Sequence, residues 1–458
     1  MNDNLPHICI DATCIVTDTK GASVYALSLL TALQKLSLPA RFTVLIRQET
    51  INRIKFDNSN WKIKAVTVKS TISWHLLTLP GILRRLKPDL LFVLGETPLA
   101  FVPVPYILTI HELPHLYRKL AGITNKPLHH RLSYRLTEVF LPNTCRQAAH
   151  LIAVSQSTAT DLEKEFQINP EKISVTYEGA DIRFFQTDSL TSYSWLENIP
   201  HPYLLTFATG DNREVPQQVV SAFGKCNSKI PHHLVIAGNC SESQKSTLLE
   251  TAAKLGCLDK LYFTGYVPDN DLPLLYRNAD IYIEMSRYEG FGLQVCEAIA
   301  AGTAVIASDV SSLPEVVGDG GYLVELGDTL TLAQKILFLL KNPTELQKLS
   351  KLAQQQAANF TWEKCAYKTW NVIDKFISKT TDFNPNSRWS HWNEKLHQRF
   401  NWIAGEYLVK FGYEKEYENT NYFWKVWNYL ENFKWWVRNN IKSIVYALNI
   451  RGILGNRE

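Results

Sequence analysis

The sequence predicts an α/β chain of two parallel-sheet domains followed by a helical, aromatic-rich extension. Short apolar runs that read as buried strands alternate with helical patterns in both halves, as a parallel sheet covered on both faces requires. Residues 278–317, NADIYIEMSRYEGFGLQVCEAIAAGTAVIASDVSSLPEVV, spell out one strand–loop–helix–strand unit. Residues 381–458 hold seven of the twelve tryptophans (389, 392, 402, 424, 427, 435, 436) among tyrosines, lysines and arginines.

At 458 residues the chain can bury two or three sizeable cores. A formal charge of +4 is too small to imply nucleic acid by itself. The eight cysteines (9, 14, 145, 226, 240, 257, 296, 365) are scattered without a CxxC pair, so they read as reduced core residues in the cytoplasm. The opening MNDNLPH lacks a basic n-region and leads into a strand, so no signal peptide is expected. No run of 18 apolar residues occurs, and no membrane span is expected.

In chain order, HICIDA at 7–12 gives the first strand, and Thr17-Asp18-Thr19-Lys20-Gly21-Ala22-Ser23 leads into a helical pattern through Leu36. Strands follow at 42–47, 62–68, 90–94 and 105–110, with a helix around 73–86. LIAVS at 151–155, a helix at 157–167 and the segment Ile173 to Asp181 complete a first domain, 1–185. The polar, proline-containing stretch 186–202 reads as a linker. The second domain, 203–360, opens with the strand at Tyr203 and a helix with Pro216 in its first turn. Strands at 233–237, 260–264, 280–284 and 304–307 build its sheet, and helices follow at about 329–341 and 343–358.

The chemistry concentrates in the unit at 278–317. Ile281, Tyr282 and Ile283 form a buried strand, and Val295, Cys296, Ile299 and Ala300 share one face of the helix that follows. The loop between them, Ser286 to Gly292, lies where such folds bind ligands. Gly290 and Gly292 let backbone approach a ligand closely, and the helix start offers unpaired N–H donors and a positive dipole end suited to a phosphate. Glu289 sits in the loop and Glu297 about two turns into the helix, so their Cα atoms are at most roughly 12 Å apart. A retaining-hydrolase carboxyl pair approaches to about 5 Å. The wider spacing suits two carboxylates gripping different hydroxyl-bearing parts of one elongated ligand.

Glu289-Gly-Phe-Gly-Leu-Gln-Val-Cys-Glu297 resembles the E-x7-E signature of the retaining glycosyltransferases of family 4, with the GT-B fold of two Rossmann-like domains facing a cleft. Ala301-Gly-Thr-Ala-Val-Ile-Ala307 and Ser311-Ser-Leu-Pro-Glu-Val316 are similar to that family almost residue for residue, and the likeness covers roughly 7–378. It implies metal-independent transfer of a sugar from a GDP- or UDP-linked nucleotide diphosphosugar to a saccharide or lipid-linked acceptor, with retained configuration. The loop's similarity to mannosyltransferases points to mannose.

The same resemblance implies roles. Glu289 would meet sugar hydroxyls and Glu297 the ribose, while the backbone of Gly290, Phe291, Gly292 and Leu293 would hold sugar and phosphate. Arg213 would grip the diphosphate, Gly21 would approach it from the first domain, and Val267, in Phe263-Thr-Gly-Tyr-Val267, would meet the base. His111 would orient the sugar through its imidazole or its carbonyl. Phe360-Thr361-Trp362 resembles the segment before a closing crossover helix (361–380) that returns onto the first domain. Three positions depart from the family: Ser23 replaces a second glycine, Glu112 the usual Asp, and Glu214 a lysine that would neutralise the diphosphate. At roughly 4 Å that last sign reversal would cost several kcal/mol at an intermediate dielectric. Either Arg213 and another base, Arg287 being nearest by motif, take over, or turnover is low.

The rival reading is therefore a catalytically weak relative acting as a binding or scaffolding subunit. A nicotinamide oxidoreductase would need a G-x-G-x-x-G after the first strand with an acidic residue ~20 positions on, and neither is present. Arg118, Lys119, Lys126, His129, His130, Arg131 and Arg135 read either as an acceptor or membrane-surface patch or as a solvated helix face. With His111 and His115, these histidines have no closed zinc spacing. The 381–458 extension reads either as interfacial helices or as a helical subdomain packed on the enzyme body or a second chain. The expected location is the cytoplasm, with peripheral contact at the inner face of the plasma membrane.

Overall fold

A computed structural model describes residues 5–17, 21–99, 102–121, 128–186 and 196–381. The chain divides into two compact units, Met1–Asp374 and Lys375–Glu458, and the first carries both sheets. Residues 382–458, which include the tryptophan-rich extension, lie outside the described residues.

The first sheet contains β1 (His7–Asp11), β2 (Arg41–Arg47), β3 (Trp61–Val66), β4 (Leu90–Val93), β5 (Tyr106–Ile110), β6 (His150–Ala153) and β7 (Ile173–Val175). Its order is β3-β2-β1-β4-β5-β6-β7, parallel throughout. The helices are α1 (Gly21–Gln34), α2 (Thr71–Ser73), α3 (Leu79–Leu86), α4 (Pro114–Ala121), α5 (Leu128–Gln147), α6 (Gln156–Phe166) and α7 (Ile182–Phe185). β1, β4, β5 and β6 are buried at every position, which is why their sequences are nearly continuous apolar runs.

The second sheet contains β8 (Tyr203–Phe207), β9 (His233–Ala237), β10 (Leu261–Gly265), β11 (Ile281–Glu284), β12 (Ala304–Ser308) and β13 (Gly321–Val324), in the order β10-β9-β8-β11-β12-β13. It too is parallel. α8 (Pro216–Cys226), α9 (Glu242–Lys254), α10 (Leu272–Arg277), α11 (Leu293–Ala300), α12 (Leu313–Val317), α13 (Thr329–Lys341) and α14 (Pro343–Ala357) accompany it, and α15 (Trp362–Thr381) closes the described chain. Leu204, Ile236, Ile283 and Ile306 of the sheet share one core with Phe223 of α8 and Ile336 of α13.

Each sheet grows outward for three strands and then returns beside its first strand, so the switch points lie between β1 and β4 and between β8 and β11. Ligands bind outside the carboxyl ends of strands at such points. This is the GT-B arrangement.

The helix expected around 73–86 is not continuous: a π-turn at Trp74–Thr78 separates α2 from α3. The widened turn aims two adjacent side chains at the end of β1, where Trp74 Nε1 donates to Asp11 Oδ2 at 3.0 Å and His75 Nε2 lies 3.1 Å from the same oxygen. Thr13 adds backbone and hydroxyl donors to Asp11 Oδ1 at 3.0 and 2.7 Å. Burial alone would raise the Asp11 pKa, but these bonds, His75's foremost, hold it below the ordinary value.

α15 packs beside α1 and β2, with the Trp362 ring 6.0 Å from Tyr25 and the Trp370 ring 6.3 Å from Phe42. The crossover leaves no room at Gly179, where a Cβ would lie 2.5 Å from the Thr361 carbonyl carbon. Gly179→Ala is therefore expected to destabilise the protein by about 1–3 kcal/mol in thermal unfolding. Gly81→Ala, inside α3 with nothing within 4 Å of the added atom, is expected to stabilise it by up to about 1 kcal/mol.

Candidate functional site

The carboxyl ends of β1, β4, β5, β8 and β11 bring their loops to one crevice. The loop after β11 is held by serines at the end of β12 and just beyond it. Ser286 N–H donates to Ser308 Oγ at 3.1 Å, and Glu289 N–H to Ser311 Oγ at 2.8 Å. Ser312 Oγ donates to the carbonyls of Glu289 and Phe291 at 3.0 and 2.9 Å. Ser286 Oγ donates to Glu289 Oε1 at 2.8 Å, which fixes that carboxylate.

Gly292 precedes α11 with φ 97°, a left-handed conformation that favours glycine. The N–H groups of Leu293, Gln294 and Val295 then stand in the first turn without intrahelical acceptors. The first domain comes close here: a Cβ at Gly21, the first residue of α1, would lie 3.9 Å from Leu293 Cδ1. The starts of α1 and α11 are therefore neighbours. Gly290 makes the closest approach, because a Cβ there would lie 2.1 Å from the His111 carbonyl oxygen. Thr158 Oγ1 donates to both His111 O and Gly290 O, at 3.1 and 3.2 Å. Phe291 is buried, its ring 6.2 Å from Tyr177 and 5.5 Å from Phe360. On the same seam, both Glu315 oxygens accept from the first amides of α6, Gln156 and Ser157, at 2.9 Å.

Ser23 has a use that a glycine could not serve. Its hydroxyl donates to Cys14 O and accepts from Val16 N–H, both at 3.1 Å, which ties down the loop before α1.

His111, at the end of β5, has no free ring nitrogen. Nδ1 pairs with Glu178 Oε1 at 2.9 Å and Nε2 lies 3.1 Å from Leu94 O. Burial opposes its charge, but Glu178 and Glu96 outweigh that and raise its pKa to about 9. His111 is thus a fixed imidazolium whose carbonyl already meets Thr158, rather than a ring open to a sugar hydroxyl.

Arg213 is enclosed by carboxylates. Its Nη1 donates to Glu112 Oε2 at 2.9 Å and lies 3.5 Å from Glu289 Oε2, while Asp211 meets Nε and Nη2 at 3.3 Å. Its guanidinium stands 5.3 Å above the Tyr117 ring, and Tyr117 OH donates to Asp211 Oδ1 at 2.9 Å. Glu214, in the place of the expected lysine, is turned back onto Thr209, accepting from its N–H and hydroxyl at 2.7 and 2.6 Å. Arg287 touches Arg213 through its backbone (N–H to O, 2.9 Å), with its side chain exposed. Burial raises Glu112 to about 7 despite Arg213, Glu214 to about 7 despite Thr209, and Glu284, bonded to Tyr282 OH, to about 8.

Glu297 lies in the second turn of α11. Tyr276 OH donates to its Oε2 at 3.1 Å, and burial lifts the carboxyl to about 8. Val267 is buried, and Tyr266 beside it is 63% exposed. Of the basic segment, Arg118 pairs with Glu138 at 2.6 Å and Arg135 is exposed, while Lys126 and the side chains of His129, His130 and Arg131 lie outside the described residues. Sequence reasoning missed Glu178, Asp211, Glu284, Tyr276 and the serine brace. Glu284 could have been noticed as the one charge ending the apolar run Ile281–Ile283.

The raised groups fix the sign of a pH effect. Glu112, Glu214 and Glu284 titrate near 4.5 when unfolded and about 7, 7 and 8 when folded. His111 moves from 6.5 to about 9. The native state holds more protons between these limits, so stability is fully present at the acid side and declines as pH rises from about 5 to 9. Melting temperatures at pH 6, 7, 8 and 9 are expected to fall in that order, with Glu214→Gln flattening the decline below pH 8.

Residues 19–184 match the family model described as Glycosyltransferase Family 4, and residues 195–356 match that of Glycosyl transferases group 1. The chain is similar to O-antigen chain mannosyltransferase B of Escherichia coli, 41% identical over 110 residues, covering 24% of this chain and 29% of the relative. It is also similar to the MMP alpha-(1->4)-mannosyltransferase of Mycolicibacterium hassiacum, 29% identical over 300 residues, covering 62% of this chain and 69% of the relative. The match thus spans less than a third of the first relative's length. Among solved structures, sucrose-phosphate synthase from Thermosynechococcus elongatus shares the fold at a TM-score of 0.64 and 17% identity, covering 82% of this chain and all of that one. With a matching family model on each sheet domain and the GT-B arrangement joining them, the chain belongs to glycosyltransferase family 4.

Proposed function

We propose that this chain transfers a sugar from a nucleotide diphosphosugar to a saccharide or lipid-linked acceptor, with retained anomeric configuration, in polysaccharide or glycolipid synthesis. The observation that supports the reading is the nearness of two helix starts, Gly21 and Gly292–Leu293, in a chain whose two sheets each have a switch point. Each start carries roughly half a positive charge and unpaired amides. In this reading they hold the departing diphosphate, because preorganised dipoles stabilise developing negative charge.

In this reading Glu289, fixed by Ser286, clasps sugar hydroxyls, Glu297 meets the ribose, and Val267 lines the base. The amides after Gly290 hold sugar and phosphate. Arg213 exchanges Glu112 for a phosphate oxygen. His111, held by Glu178 and Leu94, stands beside the sugar at the end of β5. The bond from the anomeric carbon to the diphosphate breaks, the acceptor oxygen bonds to that carbon on the same face, and the leaving phosphate takes the acceptor's proton. This route needs no enzymatic nucleophile, and positive potential comes from helix ends and Arg213 without calling on a metal. The two relatives described as mannosyltransferases support mannose as the sugar. We place the protein in the cytoplasm at the inner membrane face, a reading supported by the aromatic and basic extension; no described helix is long and apolar enough to cross a membrane.

One observation favours the second reading, a binding or scaffolding subunit of low turnover. Arg213 is already matched by Glu112, Asp211 and Glu289, and Glu214 stands where a second cation is expected. Thermal-shift screening with UDP-, GDP- and dTDP-sugars, followed by transfer and donor-hydrolysis assays, separates the two. Turnover with a GDP- or UDP-linked sugar is expected, and its absence at saturating donor favours the scaffold. Glu297→Ala is expected to weaken nucleotide binding about tenfold or more, the worth of a charge-assisted hydrogen bond. Glu214→Lys is expected to tighten donor binding by about tenfold. Unchanged nucleotide binding by the first variant would remove Glu297 from the site. Cosedimentation with anionic liposomes is expected to weaken when 381–458 are deleted, and equal partitioning would defeat the membrane assignment.

A further inference from the structure

Glu297 owes its orientation to a residue that no family motif in the sequence analysis singled out. Tyr276, near the end of α10, is fully buried and packed edge-on against Tyr282 (5.3 Å) and Phe184 (5.9 Å). Its backbone is fixed as well, since Thr303 Oγ1 donates to Tyr276 O at 2.7 Å. From this tightly packed ring the hydroxyl reaches Glu297 Oε2 at 3.1 Å, and Oε1 has no hydrogen-bond partner among the described residues. We propose that Tyr276 is a positioning residue for nucleotide recognition: its hydroxyl occupies one oxygen of Glu297 so that the carboxylate presents the other, in a fixed rotamer, to a ribose diol. This rests on the nucleotide-donor reading above.

The hydroxyl has a second effect. A donor at Oε2 favours the ionised carboxyl, and an ionised carboxyl accepts from both ribose hydroxyls, whereas a protonated one carries a hydrogen of its own. The groups that face Glu297 are Tyr276 from α10, Asp269 from the loop before it, and Arg183 and Asp181 at α7. Burial lifts the carboxyl, Tyr276 and Arg183 oppose that, and the two aspartates reinforce it. Removing the hydroxyl therefore leaves Glu297 more often neutral and free to rotate. Discrimination between ribose and 2′-deoxyribose should improve as pH rises towards 8 in the wild type, and only at higher pH in the variant.

The test is calorimetric titration of full-length protein and Tyr276→Phe with UDP, GDP and their 2′-deoxy counterparts at pH 6.5, 7.5 and 8.5. The expected result is a five- to twentyfold loss of ribonucleotide affinity in Tyr276→Phe with little change for the 2′-deoxy ligands, and a discrimination profile displaced to higher pH. Glu297→Gln, which keeps the shape and removes the titration, should show no pH dependence of discrimination. Equal weakening of both ligand types in Tyr276→Phe, or unchanged discrimination with an unchanged melting temperature, would overturn the positioning role and leave donor binding intact. Failure of the wild type to bind any of these nucleotides would overturn both readings.

Discussion

A carbonyl oxygen and a missing side chain set the geometry on which the rest of the cleft depends. At Gly290 the backbone of the signature loop meets the His111 carbonyl so closely that any Cβ would overlap it. Thr158 bonds to the carbonyls on both sides of this contact, and the serines after β12 hold the loop from behind. The contact therefore fixes the end of β5 against the start of α11. With that distance set, the starts of α1 and α11 lie next to one another. Glycine at 290 is a requirement of interlocking surfaces, while glycine at 292 is a requirement of backbone dihedral.

Charge is the second constraint, and it pulls in an unfamiliar direction. Buried carboxyls crowd the seam with one guanidinium among those at the end of β8, and several are pushed towards neutral pH because burial is not fully offset. Tying Glu214 to Thr209 relieves some of that crowding by turning the carboxylate onto local donors. The imidazolium of His111 is matched by Glu178 and so adds little net charge. An anion proposed to bind in such a place would rely more on oriented amides than on side-chain cations.

Much of this was legible in the sequence. Buried parallel strands have a nearly continuous apolar composition, so most of their positions could be read within a residue or two, while the short, half-buried β13 was not read as a strand. The signature loop was legible because glycines, glutamates and serines recur there at fixed spacing. What stayed hidden was partnership across long sequence separations. Nothing near Asp11 in the chain announces that Trp74 and His75 will widen a helical turn to reach it. The Ser23 substitution looked like a loss until its bonds to Cys14 and Val16 appeared. Likewise Arg213 was legible as a cation but not as one already matched by Glu112 from the other sheet domain. His111 was placed correctly at the strand end, yet its ring chemistry depends on Glu178, 67 residues away.

Glu315 gives the seam a further property. Its carboxylate serves as the missing acceptor for the first amides of a helix that belongs to the opposite sheet domain. Helix starts accept carboxylates and water interchangeably at a difference of about 1 kcal/mol. Parting the surfaces at that point therefore exchanges one acceptor for another instead of stranding a polar group in a dry interior. A joint made this way is reversible by construction: firm enough to register two lobes, and soft enough for hydration alone to undo.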